Sequence, residues 1–233
     1  MPLTESDYTA MQKSFYEAET PRMSEANHSE HNTNPHYWSI LLAPLNDGDW
    51  SEKVVLDFGC GCGRSVENIL NKWTVKEIHG CDISQNNIDY CHKHLPTVTT
   101  HTNYKFFVTD GQSLQPAESD AYDLIVSTIV LQHIPVYNIR KKILTDMHRC
   151  LKPGGTLSIQ MGYGAAPLTF SDYYDNTINA RATNGFHDTR VARPEQLGND
   201  LRDIGFTAIR LSIRKSWTDS HTQWIYATAI KGV

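Results

Sequence analysis

Three glycines stand at alternate positions directly after a short, mostly apolar stretch, and a carboxylate precedes the first of them. Asp57 is followed by Gly59, Gly61 and Gly63, and residues 54–58 have the composition of a buried strand. Glycines at such a place let the backbone turn sharply and let a ligand approach the N–H groups at a helix start. The glycine spacing does not match the dinucleotide-binding fingerprint, because the third glycine of that pattern is missing. A carboxylate at this place would repel a pyrophosphate but attract a cationic amino group. The spacing therefore favours a small ligand with a positive charge.

The elements that must position this loop follow from the alternation of apolar runs with helical patterns. Continuous apolarity is typical of strands that are buried on both faces, and strand–helix alternation is typical of a doubly wound α/β fold. The chain closes with two further β-rich runs that we expect to pair as an antiparallel hairpin. The predicted fold is therefore a mainly parallel seven-stranded sheet with helices on both faces. The predicted strands are 54–58, 78–83, 104–108, 122–129, 156–161, 208–213 and 223–230, and the predicted helices begin near residues 64, 84, 136 and 194.

These motifs resemble those of the class I S-adenosylmethionine-dependent methyltransferases. The family's first motif, D-x-G-x-G-x-G, matches at Asp57, Gly59, Gly61 and Gly63, and its Leu-Lys-Pro-Gly-Gly landmark matches at 151–155. The resemblance implies S-adenosyl-L-methionine as cofactor and in-line transfer of its methyl group to an acceptor atom.

The resemblance also implies roles for residues at the ends of the next strands. Asp82, beside Ile83, would hold the ribose hydroxyls, since a carboxylate accepts two hydrogen bonds at once. Asp110 and Gly111 would lie near the adenine, and Ser127 ends the strand that leads to the acceptor pocket.

Charge and sequence both bear on the acceptor. The net charge of −5 lacks the basic excess of a nucleic-acid binder. Family members that methylate nucleic-acid amino groups carry Asn or Asp, two prolines and an aromatic residue after the fourth strand, where residues 127–130 here read Ser-Thr-Ile-Val. We expect a small-molecule acceptor that offers an O or N atom, although a protein acceptor stays open.

Two histidines are candidates for a base or an acceptor-orienting group. His133 follows the fourth strand, and His187 lies in the long connection 162–193, which also carries Phe186 and other aromatic residues. Such a connection suits a lid that excludes water over an organic acceptor. The alternatives are a His133 that only shapes its loop and a 162–193 segment that caps the fold without touching substrate.

The N-terminal 50 residues are polar with scattered aromatics, among them Tyr8 and Tyr16, and predict a helical extension that packs on a domain spanning 51–233. No signal peptide or membrane span is expected, so we predict a cytoplasmic protein that contacts neither membrane nor nucleic acid. The five cysteines should be reduced thiols. The spacing of Cys60 and Cys62 is too short for a structural zinc site, and no metal is expected. The sequence does not indicate an oligomeric state.

Two other functions remain open at this point. A protein could bind S-adenosylmethionine without catalysis, as a partner subunit or a sensor, because the intact glycine loop predicts binding in either case. A nicotinamide-dependent oxidoreductase is the less favoured alternative, since the glycine spacing departs from its fingerprint.

Overall fold

Seven strands form one sheet in the computed structural model, which describes residues 3–26, 39–164, 170–179, 187–215 and 222–233. The order across the sheet is β3-β2-β1-β4-β5-β7-β6. The first five strands are parallel, and β7 runs antiparallel to both β5 and β6. The strands are β1 (Val54–Phe58), β2 (Glu77–Asp82), β3 (Tyr104–Val108), β4 (Tyr122–Ser127), β5 (Leu151–Tyr163), β6 (Phe206–Lys215) and β7 (Gln223–Lys231). The predicted fold class is confirmed, including the antiparallel hairpin.

In the described part of the chain, five α-helices cover the two faces of this sheet. They are α1 (Glu5–Ala26), α2 (Arg64–Lys72), α3 (Gln85–Val98), α4 (Tyr137–Cys150) and α5 (Pro194–Ile204). Helices α2 and α3 pack in one hydrophobic cluster, and α4 and α5 pack in the other. Neighbouring residues of β4 point to opposite clusters, Leu124 to the first and Ile125 to the second. Both faces are therefore buried, which explains the continuous apolarity of the central strands.

The fifth strand begins earlier than its sequence predicts. Apolarity indicates a start at residue 156, but β5 begins at Leu151, immediately after α4 ends at Cys150. The pairing with β4 shifts register between Tyr122 and Leu124, and Gly154 adopts a φ of 78°. A bulge of this kind lets the Pro-Gly-Gly turn remain within an extended strand.

The N-terminal helix lies on the domain. Tyr8 is buried in the same cluster as α4, and the Thr20 hydroxyl donates to Asn87 Oδ1 of α3 at 2.8 Å. A division of the chain at residue 50 stays a prediction. The polar run 27–36 and the aromatic residues Tyr37 and Trp38 lie outside the described residues.

Among the described residues no helix is both long and apolar enough to cross a membrane. No three His, Cys, Asp or Glu side chains come together there as a metal ion would need. All five cysteines are free and buried.

We expect the centre of the sheet to dominate stability. Leu157 of β5 is fully buried, so Leu157→Ala should lower the free energy of unfolding by about 2–5 kcal/mol, because the lost contacts leave a cavity. Ile230 of β7 is 38% exposed, and Ile230→Ala should change that free energy by only about 0.5 kcal/mol. Urea unfolding measures both, and equal effects would contradict the assignment of the core.

Candidate active site

The glycine loop joins β1 to α2 in a left-handed backbone conformation. Gly59, Gly61 and Gly63 have φ values of 70°, 52° and 86°. A Cβ on Gly59 would lie 2.3 Å from Cγ2 of Val130, so no larger residue fits there without displacing that side chain. The Gly59 and Cys60 N–H groups donate to the Cys81 carbonyl at 2.8 and 2.9 Å. These bonds fix the loop against the end of β2.

Asp82 ends β2 and organises the groups around it. Its Oδ2 accepts from Gly61 N at 2.9 Å, and its Oδ1 accepts from Ser84 N at 2.9 Å and from Asn87 Nδ2 at 3.1 Å. Burial raises the pKa of Asp82, and these hydrogen bonds act in the opposite direction by favouring the carboxylate. Asp82 therefore ties together the glycine loop, β2 and α3, and these three bonds occupy all but about one of its acceptor positions.

Asp57 is buried one residue behind the loop. Neither carboxylate oxygen has a hydrogen-bond partner among the described residues, although the nearby Ser65 hydroxyl offsets part of the effect of burial. Burial raises the pKa of Asp57 to about 7. An unpaired buried carboxyl is rare in a folded protein and calls for an explanation such as a missing ligand. A ligand ammonium group would supply the absent partner.

The raised pKa of Asp57 makes stability depend on pH. The unfolded chain releases this proton near 3.8, whereas the folded protein holds it until about 7, so the unfolding free energy falls as pH rises between those values. Asp57→Asn should flatten this decline and make the variant more stable than wild type above pH 7. Each pKa unit between the folded and the unfolded state corresponds to about 1.4 kcal/mol of unfolding free energy. Thermal or urea unfolding across that range measures the effect. Asp89→Asn, at an exposed position of α3, controls for the change in net charge. An unchanged slope in Asp57→Asn would contradict the assignment.

One cavity opens beside the glycine loop, at the carboxyl edge of the parallel strands, and it encloses about 670 Å³ of unfilled space, part of it open to solvent. One wall comes from α1 and another from the loop that follows β4. The lining residues are Tyr8, Thr9, Gln12, Tyr16, Met23, Phe58, Gly59, Asp82, Ile83, Thr109, Gly111, Ile129, Val130, His133, Ile134 and Ile143.

The remaining cofactor candidates are placed differently. Gly111 lines the cavity in contact with Ile83. The exposed Asp110 carboxylate instead accepts from Gln112 N and Ser113 N at 2.8 and 2.7 Å, so it closes its own turn. Ser127 is buried at the end of β4, and its hydroxyl has no partner among the described residues. The ligand roles of these residues stay predictions.

His133 lines the cavity, and a carboxylate lies behind it. Its Nδ1 lies 2.5 Å from Oδ1 of Asp188, which is 2% exposed. The backbone carbonyl of His133 accepts from the Tyr8 hydroxyl at 3.5 Å. A histidine oriented by a buried carboxylate at one nitrogen can accept a proton at the other.

The described parts of segment 162–193 pack beside this pair. Residues Tyr163 and Val191 form one bridge, and Ser171 and Thr189 form a second. His187 Nε2 lies 3.0 Å from the Ser171 hydroxyl, and His187 is not among the cavity-lining residues. Phe186 lies outside the described residues. This segment thus contacts the cavity-lining His133 through Asp188, whereas α1 lines the cavity directly. The role of segment 162–193 as a lid stays a prediction.

Sequence reasoning missed two features of the site. Tyr8, Gln12 and Tyr16 are four residues apart on α1, which indicated a packed face but not a cavity wall. Asp188 stands next to the candidate His187, and nothing in the local sequence shows which of the two faces inward.

Comparison with known proteins identifies the family. A family model described as a methyltransferase domain matches residues 55–155. Trans-aconitate 2-methyltransferase of Delftia acidovorans is 32% identical over 196 residues, which cover 76% of this chain and 69% of that protein. The chain belongs to the class I S-adenosylmethionine-dependent methyltransferases.

Other methyltransferases match over shorter stretches. Trans-aconitate 2-methyltransferase of Streptomyces avermitilis is 30% identical over 134 residues, which cover 58% of this chain and 47% of that protein. The chain spans less than half the length of this relative and of several others. The structure of phosphoethanolamine N-methyltransferase 2 of Haemonchus contortus, in complex with phosphomonomethylethanolamine and S-adenosylhomocysteine, aligns with a TM-score of 0.64 at 16% identity. The alignment covers 89% of this chain and 59% of that one, and it shows the shared fold.

The residues present fit the methyltransferase cofactor. The Asp57 carboxyl, which has no partner among the described residues and lies behind the cavity wall, suits the amino group of its methionine part. Asp82 lines the cavity as an acceptor for a ribose hydroxyl. Gly59 and Gly111, both in left-handed backbone conformations, line the cavity that would receive the cofactor.

Proposed function

We propose that this methyltransferase transfers a methyl group from S-adenosylmethionine to a hydroxyl oxygen of a small, uncharged molecule. The observation that carries the proposal is the His133–Asp188 pair at the cavity wall, with 2.5 Å between Nδ1 and Oδ1. A hydroxyl acceptor must lose a proton during transfer, whereas an amine or a carboxylate need not. A base in this position is therefore most useful for a hydroxyl.

The donor side of the cavity would be formed by the glycine loop and by Asp57 and Asp82. Bound S-adenosylmethionine supplies an electrophilic methyl group. Asp57 would pair with its ammonium group, and Asp82 would accept from its ribose. The apolar side chains of Phe58, Ile83 and Val130 would exclude water from the reacting centre.

His133 would act on the acceptor. Asp188 accepts from Nδ1–H, which assigns the tautomer and leaves Nε2 free to take the proton of the acceptor hydroxyl. The buried carboxylate also stabilises the imidazolium that forms when Nε2 gains this proton. Positioning of the hydroxyl against the donor supplies most of the remaining rate enhancement.

The charges around the cavity support an uncharged acceptor. Asp82 lies on its wall and Asp188 lies directly behind His133. These two carboxylates would repel a tricarboxylate such as the aconitate named for the relatives. We therefore favour a neutral hydroxyl compound over an anion.

Substitution of the pair should separate catalysis from cofactor binding. His133→Gln should lower kcat by about 10²–10⁴, the contribution of a general base. Asp188→Asn should also lower kcat because it disfavours the required tautomer. Both variants should keep S-adenosylhomocysteine affinity within about threefold by calorimetry, because neither residue belongs to the donor side. His187→Gln is the matched control, and it should retain kcat. A greater loss of kcat in His187→Gln than in His133→Gln would indicate that His187 is the base.

Acceptor charge can be tested with compounds that share one reacting hydroxyl. Methyl 4-hydroxybenzoate should give a kcat/KM at least about tenfold above that of 4-hydroxybenzoate, because the carboxylate of the acid meets the negative field. Release of S-adenosylhomocysteine measures turnover, and a metabolite extract extends the search. Turnover of trans-aconitate in preference to both would contradict the uncharged acceptor. If the protein binds the cofactor but releases no S-adenosylhomocysteine with any of these compounds or the extract, a non-catalytic binding protein would be favoured.

A further inference from the structure

Gln160 is a fully buried amide in the middle of β5, in a stretch that reads Leu-Ser-Ile-Gln-Met. Its Oε1 accepts from the Ile129 N–H at 2.8 Å, and its Nε2 donates to Oε1 of Gln132 at 3.1 Å. A buried amide is unfavourable unless its donor and acceptor are both paired. Here both ends bind the loop that follows β4. Gln160 therefore connects the centre of the sheet to the wall of the cavity.

The first of these bonds holds an unusual backbone conformation. Ile129 has a φ of 55°, which a β-branched residue rarely adopts. The Gln160 amide accepts from the N–H of this residue, and that bond would be broken if the loop relaxed. The left-handed turn places Val130 against Gly59, where a Cβ on the glycine would meet Val130 Cγ2. The strained residue thus sets the distance between the loop and the donor side of the cavity.

The second bond leads toward the catalytic pair. Gln132 is 2% exposed, and its backbone carbonyl accepts from Thr189 N at 2.7 Å. Thr189 follows Asp188 in the chain, while His133 follows Gln132. The His133 N–H donates to the Val130 carbonyl at 2.9 Å. Gln160 therefore holds the loop that carries His133 through its bonds to Ile129 and Gln132. It also reaches the backbone beside Asp188, because Gln132 binds Thr189.

We propose that Gln160 is a positioning residue for methyl transfer, which fixes loop 128–133 so that His133 meets Asp188 at the correct place on the cavity wall. This role of Gln160 rests on the proposed function only where it is tested by turnover. Gln160 does not line the cavity, so it acts through Ile129 and Gln132. The loop would relax to an ordinary right-handed conformation without these two bonds, and His133 would shift relative to the donor side.

The test compares Gln160→Met, which keeps side-chain length but removes both bonds, with Ser158→Ala. Ser158 lies two residues earlier on β5, is 2% exposed, and donates to the Leu41 carbonyl at 2.6 Å, away from the cavity. Gln160→Met should lower kcat by about ten- to a hundredfold, the scale of a misplaced catalytic group. Ser158→Ala should leave kcat within about twofold while it loses a buried hydrogen bond of its own. Equal kcat losses in the two variants would overturn the proposal.

A double-mutant cycle distinguishes positioning from a general loss of structure. If Gln160 acts through His133, then Gln160→Met should lower kcat by less than about threefold in a His133→Gln background. Multiplicative losses would overturn the proposal. Should Gln160→Met fail to fold, Gln160→Glu applies to the same cycle. It keeps an acceptor for Ile129 N and replaces the amide donor to Gln132, and the same non-additivity is expected.

Hydrogen exchange provides a readout that needs no acceptor. The Ile129 amide should exchange at least about tenfold faster in Gln160→Met than in wild type or Ser158→Ala, because the variant lacks the buried oxygen to which this N–H donates. Unchanged exchange would overturn the proposal whether or not turnover is detected. Accelerated exchange in a protein that methylates no hydroxyl compound would support the role of Gln160 in the loop and count only against the proposed function.

Discussion

The hydrogen bonds of one buried carboxylate hold the cofactor side of this molecule in register. Asp82 accepts from the glycine loop through Gly61, from the start of α3 through Ser84, and from the side chain of Asn87. Asn87 in turn accepts from Thr20 of α1. Four segments that are distant in the chain thus meet at one residue at the end of β2. Because the parallel strands end at the same edge of the sheet, this residue also lines the cavity at that edge.

A second polar contact organises the other half of the cavity. The His133–Asp188 contact joins the loop after β4 to the strand-like piece near residue 189, and Gln132 binds the same piece through its backbone. The Asp82 hydrogen bonds and the His133–Asp188 contact each combine a buried carboxylate with fixed partners, which makes both of them sensitive to small displacements. The two sides of the cavity are therefore held by separate polar networks, and they meet at Val130 beside Gly59.

The strands and the glycine loop could be predicted because their signals are local. Apolar runs such as 54–58 and 104–108 match β1 and β3 at both ends, and the glycines mark the positive φ values that follow. The start of β5 was missed because the turn at Gly154 reads as a helix end, whereas the sheet keeps it extended.

The polar contacts at the cavity could not be predicted in the same way. Whether His187 or Asp188 faces His133 depends on how residue 189 pairs with residue 171, and tertiary contacts decide that pairing. Gln160 is different, since a lone amide inside an apolar strand is itself a signal. Its partners, however, belong to a loop whose conformation becomes clear only in three dimensions.

The arrangement of α1 has an evolutionary consequence. Tyr8, Gln12 and Tyr16 form one stripe along its first turns, and all three line the cavity. Replacements in that stripe reshape the cavity while the strands that carry Asp57 and Asp82 remain intact. The shape of the cavity can thus diverge in evolution through a few substitutions in α1, independently of the strand ends that carry Asp57 and Asp82.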